Sequence, residues 1–421
     1  MMKTIRIKKG VNLYVNERDK FNTAIFQVDF VFPADSSFFA HLNLLSDLIK
    51  KHSTRFQLHQ DVIDFLEDHY GATLDVDYET FGTSTSFSLM VDFVHPRLLN
   101  DESYCFSDMV SFIEELIFNQ NDRIESLFEN EKKYCKNILK DELTSPETLA
   151  FYQALPHYIS SDNLKRPLSG TFTQLNNVEL DQVYDLWQNI LQTSFVNIYY
   201  DGFTLSADDQ KAINQFAQRF FPRDGFNQIN PYYVENYKKT DQINEKHHTF
   251  RQNIFLQQYY LDGNAKYRNE NYAAWLIFNQ IFGGDSESFL FQTIREKLNL
   301  SYEAFSNISF GLNCFYVYAT LNEKKFEQVN QEIDKIFDKI KYQKYSLSML
   351  EMAKKSIENL LLYQNDGRFF DISQQKMKFL TKDYISNEDL IHQIKNVEPN
   401  DLSKCVNFVQ PGIKMWYEGM Q

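Results

Sequence analysis

The run Val196-Asn197-Ile198-Tyr199-Tyr200-Asp201-Gly202 returns near the other end of the chain as Ile413-Lys414-Met415-Trp416-Tyr417-Glu418-Gly419. Both read as a strand that stops on an acidic residue and a glycine, a pair suited to a turn because glycine accepts positive φ at no steric cost. Upstream, Asn177-Val178-Glu179 and Asn396-Val397-Glu398 each open a short helical stretch. A repeat that closes each half implies that the halves share more than their last strand.

They do, and in the same order. Phe26, Val28, Phe30 and Phe32 alternate with Gln27, Asp29 and Val31 to predict a strand, whose counterpart is residues 253–261. An apolar helix follows, 38–49 against 272–282, then a second helix ending in a turn, 62–70 against 289–298. A strand in which Phe87, Leu89, Val91 and Phe93 alternate with polar residues answers to 314–321. Phe106, Val110, Ile113 and Ile117 share one helical face, as do Phe326, Val329, Ile333 and Ile336, a core-facing stripe in both halves. The pattern predicts a duplication: one domain over 1–225, a polar linker over 226–246 that contains Pro231, and a second domain over 247–421. Helices and strands alternate without a regular βαβ rhythm. The expected class is therefore α+β, with each domain a mostly antiparallel sheet that has helices packed on one face.

Composition agrees and narrows the function. A length of 421 residues exceeds one typical core and suits two domains. The 38 Phe and 25 Tyr point to aromatic cores, and 43% hydrophobic residues exclude a disordered chain. A formal net charge of −14 speaks against a nucleic-acid partner, which needs a basic stripe. Cys105, Cys135, Cys314 and Cys405 lie far apart, so they read as buried free thiols of a reducing compartment. Lys3, Arg6, Lys8 and Lys9 are not followed by an apolar stretch, and no run approaches the roughly 18 to 20 apolar residues of a membrane span. The expectation is a cytoplasmic protein with no membrane partner.

The most specific stretch is Phe282-Gly283-Gly284, then Ser288-Phe289-Leu290-Phe291, then Ile294-Arg295-Glu296-Lys297-Leu298-Asn299-Leu300-Ser301-Tyr302. With the duplicated layout, it resembles the pitrilysin/insulinase family of zinc peptidases over almost the whole chain. It resembles in particular the short members that look like mitochondrial processing peptidase subunits. The family's second domain carries a Gly-Gly turn, a Ser-x-Leu-Phe helix start and an Arg-Glu-Lys-x-x-Leu-x-Tyr run at this spacing. In the first half, Leu66 to Ala72 is similar to the family's helix leading into Gly-Ala. The resemblance implies one half of a metallopeptidase clamshell.

Active members carry His-x-x-Glu-His on the first long helix, where two histidines four apart chelate zinc and the glutamate activates a bound water. Here that helix reads His41-Leu42-Asn43-Leu44-Leu45-Ser46-Asp47-Leu48-Ile49. Anchored on the downstream turn, Asn43, Ser46 and Asp47 fall on the motif positions, and neither histidine nor the glutamate is present. Starting at His41 fails as well. On the later helix, with glutamates at 125, 129, 131 and 142, a register through Glu131 leaves Ile138 at the third ligand position. His59, Glu67 and His69 are eight and ten residues apart and do not share a helical face, and His247-His248 is an adjacent pair. No metal site is expected in this chain and no cofactor, zinc being expected only in a catalytic partner.

Arg295 and Tyr302 stand intact. In the family this pair faces the zinc site across a cavity, holds the substrate backbone and stabilises charge at the scissile carbonyl, roles that suit a guanidinium fork and a phenol donor. The plainer alternative is a surface ion pair for Arg295 and packing in the sheet for Tyr302. The resemblance implies a non-catalytic subunit that is no enzyme alone. It would pair with a zinc-containing homologous subunit, enclose an unfolded peptide and offer exposed strand edges to it. A homodimer and a stand-alone peptide-binding scaffold are the alternatives. An independent metallopeptidase lacks its ligands, and no phosphate loop or Ser/His/Asp signature supports another enzyme class.

Overall fold

The computed structural model describes residues 2–120, 124–222, 233, 234, 237, 242–246, 251–262 and 265–419. The first half runs β1 (Lys3–Lys8), β2 (Val11–Glu17), β3 (Thr23–Pro33), α1 (Phe39–Lys51), α2 (His59–Asp68), β4 (Thr73–Phe81) and β5 (Ser84–Val94). It continues with α3 (Phe106–Phe118), α4 (Glu125–Glu142), α5 (Pro146–Tyr158), α6 (Phe172–Asn177), α7 (Leu180–Thr193), β6 (Phe195–Gly202) and α8 (Ala207–Gln218). The second half opens with β7 (Gln242–Lys246), β8 (Asn253–Tyr260) and α9 (Tyr272–Asn279). Two π-helical turns, Gln280–Gly284 and Phe291–Lys297, precede β9 (Ser301–Ser309) and β10 (Cys314–Leu321). Then come α10 (Phe326–Lys341), α11 (Leu347–Asn365), α12 (Phe370–Thr381), α13 (Asn387–Lys395), α14 (Pro399–Phe408) and β11 (Gln410–Glu418).

The strands form two sheets, ordered β1-β2-β6-β3-β5-β4 and β7-β11-β8-β10-β9. Four neighbours match one for one: β6-β3-β5-β4 in the first sheet, β11-β8-β10-β9 in the second. The parallel pairs match too, β2 with β6 and β7 with β11, while the other pairs are antiparallel. The strand β7 is thus the counterpart of β2. The last five residues of the linker expected at 226–246 are a sheet strand, and most of the remainder lies outside the described residues. Residues 3–17, charged and unremarkable in sequence, supply two strands more.

The apolar stripes meet where the helical period predicts. Phe26, Val28 and Phe30 of β3 are fully buried under α3 and α7, with Phe30 edge-on to Trp187 at 5.1 Å. The Trp187 indole donates to the Ile117 carbonyl at 3.1 Å, so its one polar atom is not left bare in the core. In the second half Phe282 meets Phe315 at 5.0 Å and Phe337 at 4.8 Å. Three cysteines are buried as expected, but Cys105 is exposed, because it stands outside the first turn of α3.

The α+β class holds, but helices cover both faces of each sheet, and the second covering is exchanged between the halves. α5, from the first half, lays Leu149, Ala150, Ala154 and Tyr158 on Ile254, Leu256, Met415 and Tyr417 of the second sheet. α12, from the second half, returns the contact, with Ile372 against Tyr14, Ile25 and Tyr199, and Leu380 against Val31. Sequence concealed this because the receiving face of the first sheet is largely polar. Gln27, Asp29, Asn197 and Asp201 are all buried there, yet alternate with apolar residues as a solvent-facing row would. Where the halves touch at their hairpin tips, a Cβ on Gly311 would lie 2.8 Å from the Gly82 backbone nitrogen, so glycine is required for the approach.

Candidate functional site

α1 and α4 are packed together, and the degenerate motif lies between them. The Ser46 hydroxyl donates to the Asn43 carbonyl of its own helix at 2.8 Å, and the Asn43 amide reaches the Ser169 carbonyl at 3.5 Å. Across the gap the Cys135 thiol donates to Asp47 Oδ2 at 3.4 Å, and one turn further on Lys51 Nζ meets Glu131 Oε2 at 2.5 Å. Burial pushes both the Asp47 carboxyl and the Cys135 thiol up, so the thiol keeps the proton it donates.

This donor set does not fit zinc. A structural or catalytic site needs three or four deprotonated N, S or O donors converging at about 2.0–2.3 Å. Here an amide and a hydroxyl are turned to backbone carbonyls, the thiol is protonated, and the Lys51 ammonium neutralises the glutamate. Ile138, at the expected third position, carries an alkyl side chain and is exposed. Among the described residues no group of three or more His, Cys, Asp or Glu could hold a metal. His59 starts α2, and the His69 ring is 2.5 Å from the Phe65 carbonyl and stacked on the Phe65 ring. His247 and His248 lie outside the described residues.

Sequence reasoning missed the Asp47–Cys135 and Lys51–Glu131 contacts. Asp47 and Lys51 are four apart on one helix, as are Glu131 and Cys135 on the other. That matched spacing between antiparallel helices was the available signal.

Arg295 and Tyr302 occupy a different and well-built corner. A Cβ on Gly283 would lie 2.6 Å from Ser306 Oγ and 2.7 Å from Ser306 N, so the Gly-Gly turn is what lets this backbone meet β9. The following π turn closes with Leu298 N donating to Thr293 O at 3.1 Å. Asn299, at φ 48°, and Leu300 then return hydrogen bonds to Arg295 O and Ile294 O at 3.2 and 2.9 Å. The backbone from Arg295 to the start of β9 is therefore pinned, and π turns of this kind recur at functional sites.

The side chains themselves are little engaged. Arg295 is 45% exposed, rests over the Phe291 ring at 4.7 Å and stays 3.7 Å from Glu296. Tyr302 is 67% exposed at the head of the edge strand β9 and does not pack in the sheet. Among the described residues no hydrogen bond, ion pair or ring contact joins either one to Asn43, Ser46 or Asp47.

Residues 177–357 match the family model described as the peptidase M16 inactive domain. Over 418 residues the chain is 20% identical to the probable inactive metalloprotease YmfF of Bacillus subtilis, covering 98% of this chain and 96% of that protein. The chain is thus similar to the inactive-type M16 peptidases. The pitrilysin/insulinase resemblance and the M16 match name the same group. Its fold recurs in a conserved protein from Enterococcus faecalis, with a TM-score of 0.93, 22% identity, and 100% of this chain and 99% of that one covered. It recurs again in an M16 inactive domain from Pseudomonas fluorescens, with a TM-score of 0.78, 15% identity, and 100% and 98% covered. The fold is thus shared end to end with these structures, while the side chains between α1 and α4 do not make a zinc donor set.

Proposed function

We propose that this chain is the non-catalytic, peptide-binding subunit of an insulinase-type zinc peptidase, working beside a zinc-containing homologous subunit to which it lends Arg295 and Tyr302. The carrying observation is the contrast between the two corners. At the zinc position every polar side chain is committed to a neighbour, whereas Arg295 and Tyr302 are displayed on a pinned backbone with their donors unspent. A guanidinium fork can hold a peptide carbonyl, and a phenol can donate to a developing oxyanion.

Zinc belongs to the partner on this proposal, and this chain needs no cofactor. An unfolded peptide would lie along a free edge, since among the described residues β4 and β9 each end a sheet with one side of the backbone unpaired. Four unpaired cysteines suit a reducing, cytoplasmic setting. Among the described residues no helix is long and apolar enough to cross a membrane.

The test is co-expression with a His-x-x-Glu-His homologue, measuring co-purification and cleavage of an unfolded peptide. Arg295→Ala and Tyr302→Phe should each cut turnover about tenfold or more while leaving assembly intact. Unchanged turnover sinks the shared-site proposal. Peptide binding by the chain alone, or as a homodimer, with no gain in cleavage would favour the scaffold instead.

A further inference from the structure

Among the described residues the strand β4 is paired only on its β5 side. Along it Thr73, Asp75, Asp77 and Glu79 are exposed, while Val76 and Tyr78 are buried and Leu74 and Thr80 half-buried. The three acids therefore stand in one file at strand spacing, on the face turned toward α12. By register, Asp75 continues inward to Met90 and Gln27, and Asp77 to Ser88 and Asp29. A cavity of about 210 Å³ opens over these rows, lined by Gln27, Asp75, Asp77, Glu79, Ser88 and Lys376 among others.

This face already seats one ammonium of the protein's own. Lys376 Nζ donates to Ser88 Oγ at 3.0 Å and lies 2.5 Å from Glu79 Oε1 and 3.5 Å from Asp29 Oδ2. Lys50 meets Asp75 at 3.2 Å, in a pair whose carboxylate is largely exposed. Among the described residues no cation pairs with Asp77. The file carries more negative charge than the fold neutralises, beside backbone that is free to pair.

Resting on the peptide-binding proposal above, we infer that β4 selects an extended segment with Lys or Arg at alternate positions and apolar or β-branched residues between them. Residues directly opposite on an added strand have Cβ atoms about 4.5–5.5 Å apart, so side chains at i, i+2 and i+4 face Asp75, Asp77 and Glu79 one for one. The intervening side chains fall on the other face, beside Val76 and Tyr78. Slipping the segment by one residue puts every cation on the wrong face. The rule is one of period as well as of charge: the same lysines gathered in a block cannot all reach the file.

Four capped eleven-residue peptides separate the outcomes. One has lysine at alternate positions with Val and Thr between, one has glutamate and one serine in place of lysine, and one has the same lysines in a single block. Fluorescence anisotropy with the full chain at low salt should show the alternating lysine peptide binding at least tenfold tighter than the block or glutamate peptide. Asp75→Asn/Asp77→Asn should erase that gain, bringing the lysine peptide down to the affinity of the serine peptide for the same variant. Asp77→Asn alone, checked by circular dichroism, should lose part of it should the double variant not fold. Equal binding of the block peptide, or an unaffected double variant, overturns the inference. Equal binding of the lysine and serine peptides overturns the charge rule while upholding peptide binding. No binding of any peptide overturns both.

Discussion

Lys376 on α12 holds its ammonium 3.5 Å from Asp29 Oδ2 on β3, a fully buried carboxylate of the opposite half. Burial alone would pull the lysine's pKa down, but Asp29 and Glu79 outweigh it and raise it. Lys376→Met strands Asp29 without its cation and should cost about 3–5 kcal/mol in urea unfolding. Adding Asp29→Asn should return much of that loss, because the buried charge goes with its partner. The sign with pH follows from the raised lysine: its contribution is fully present below about pH 10 and fades as pH climbs through the folded value. Strictly additive single effects would show that the two groups do not act as a pair.

Asp47 also loses stability as pH rises, but from the acid range. Burial raises its pKa, with Lys51 and the Cys135 thiol opposing, so above the ordinary carboxylate range the folded state holds a proton that the unfolded chain has given up. Its stability contribution falls as pH rises from about 4 through the folded value, and the penalty is full once pH has passed that value. Asp47→Asn cannot ionise and still accepts from Cys135. The variant should melt above the parent at pH 7 and level with it below about pH 4. A parent that is more stable at neutral pH would mean that the Asp47 charge is held by its neighbours.

The same pair shows how far the sequence could be read. That Asn43, Ser46 and Asp47 offer no His-x-x-Glu-His donor set was legible because metal chemistry demands particular residue types at a fixed spacing. What stands there instead was less so, since Cys135 and Glu131 come from a helix whose register depends on tertiary packing. The stripes of β3, α3 and α10 were legible because one-sided burial leaves a period. β1, β2 and the inner seating of α12 were not, because polar faces such as Asn197 and Asp201 look solvated even when buried. Arg295 and Tyr302 were visible as a motif, but only the structure shows them unengaged. The acidic file on β4 is a period-two pattern in plain sight, and its meaning depends on β4 being an edge.

The exchange of α5 and α12 predicts that the halves unfold as one. Trp187 reports on the first half, and Trp275 and Trp416 on the second. In Trp187→Phe and in Trp275→Phe/Trp416→Phe, the remaining fluorescence and the far-ultraviolet circular dichroism should share one urea midpoint within each variant. Two separated transitions would show that the exchanged helices do not couple the halves.

Arg295, Tyr302 and Gly283 lie within one motif, yet they are held very differently. Arg295 and Tyr302 are substantially exposed and weakly held, so Arg295→Ala and Tyr302→Phe should change stability by no more than about 0.5 kcal/mol. Gly283 is buried, and an added Cβ would fall 2.7 Å from the Ser306 backbone nitrogen, so Gly283→Ala must displace β9 or the turn. Overpacking of that kind costs about 1–3 kcal/mol. Thermal melts of the three variants side by side decide between function and scaffold. Residues kept for catalysis in a complex should be dispensable to the isolated fold, and a large stability loss in the Arg295 or Tyr302 variant would reassign that side chain to holding the turn.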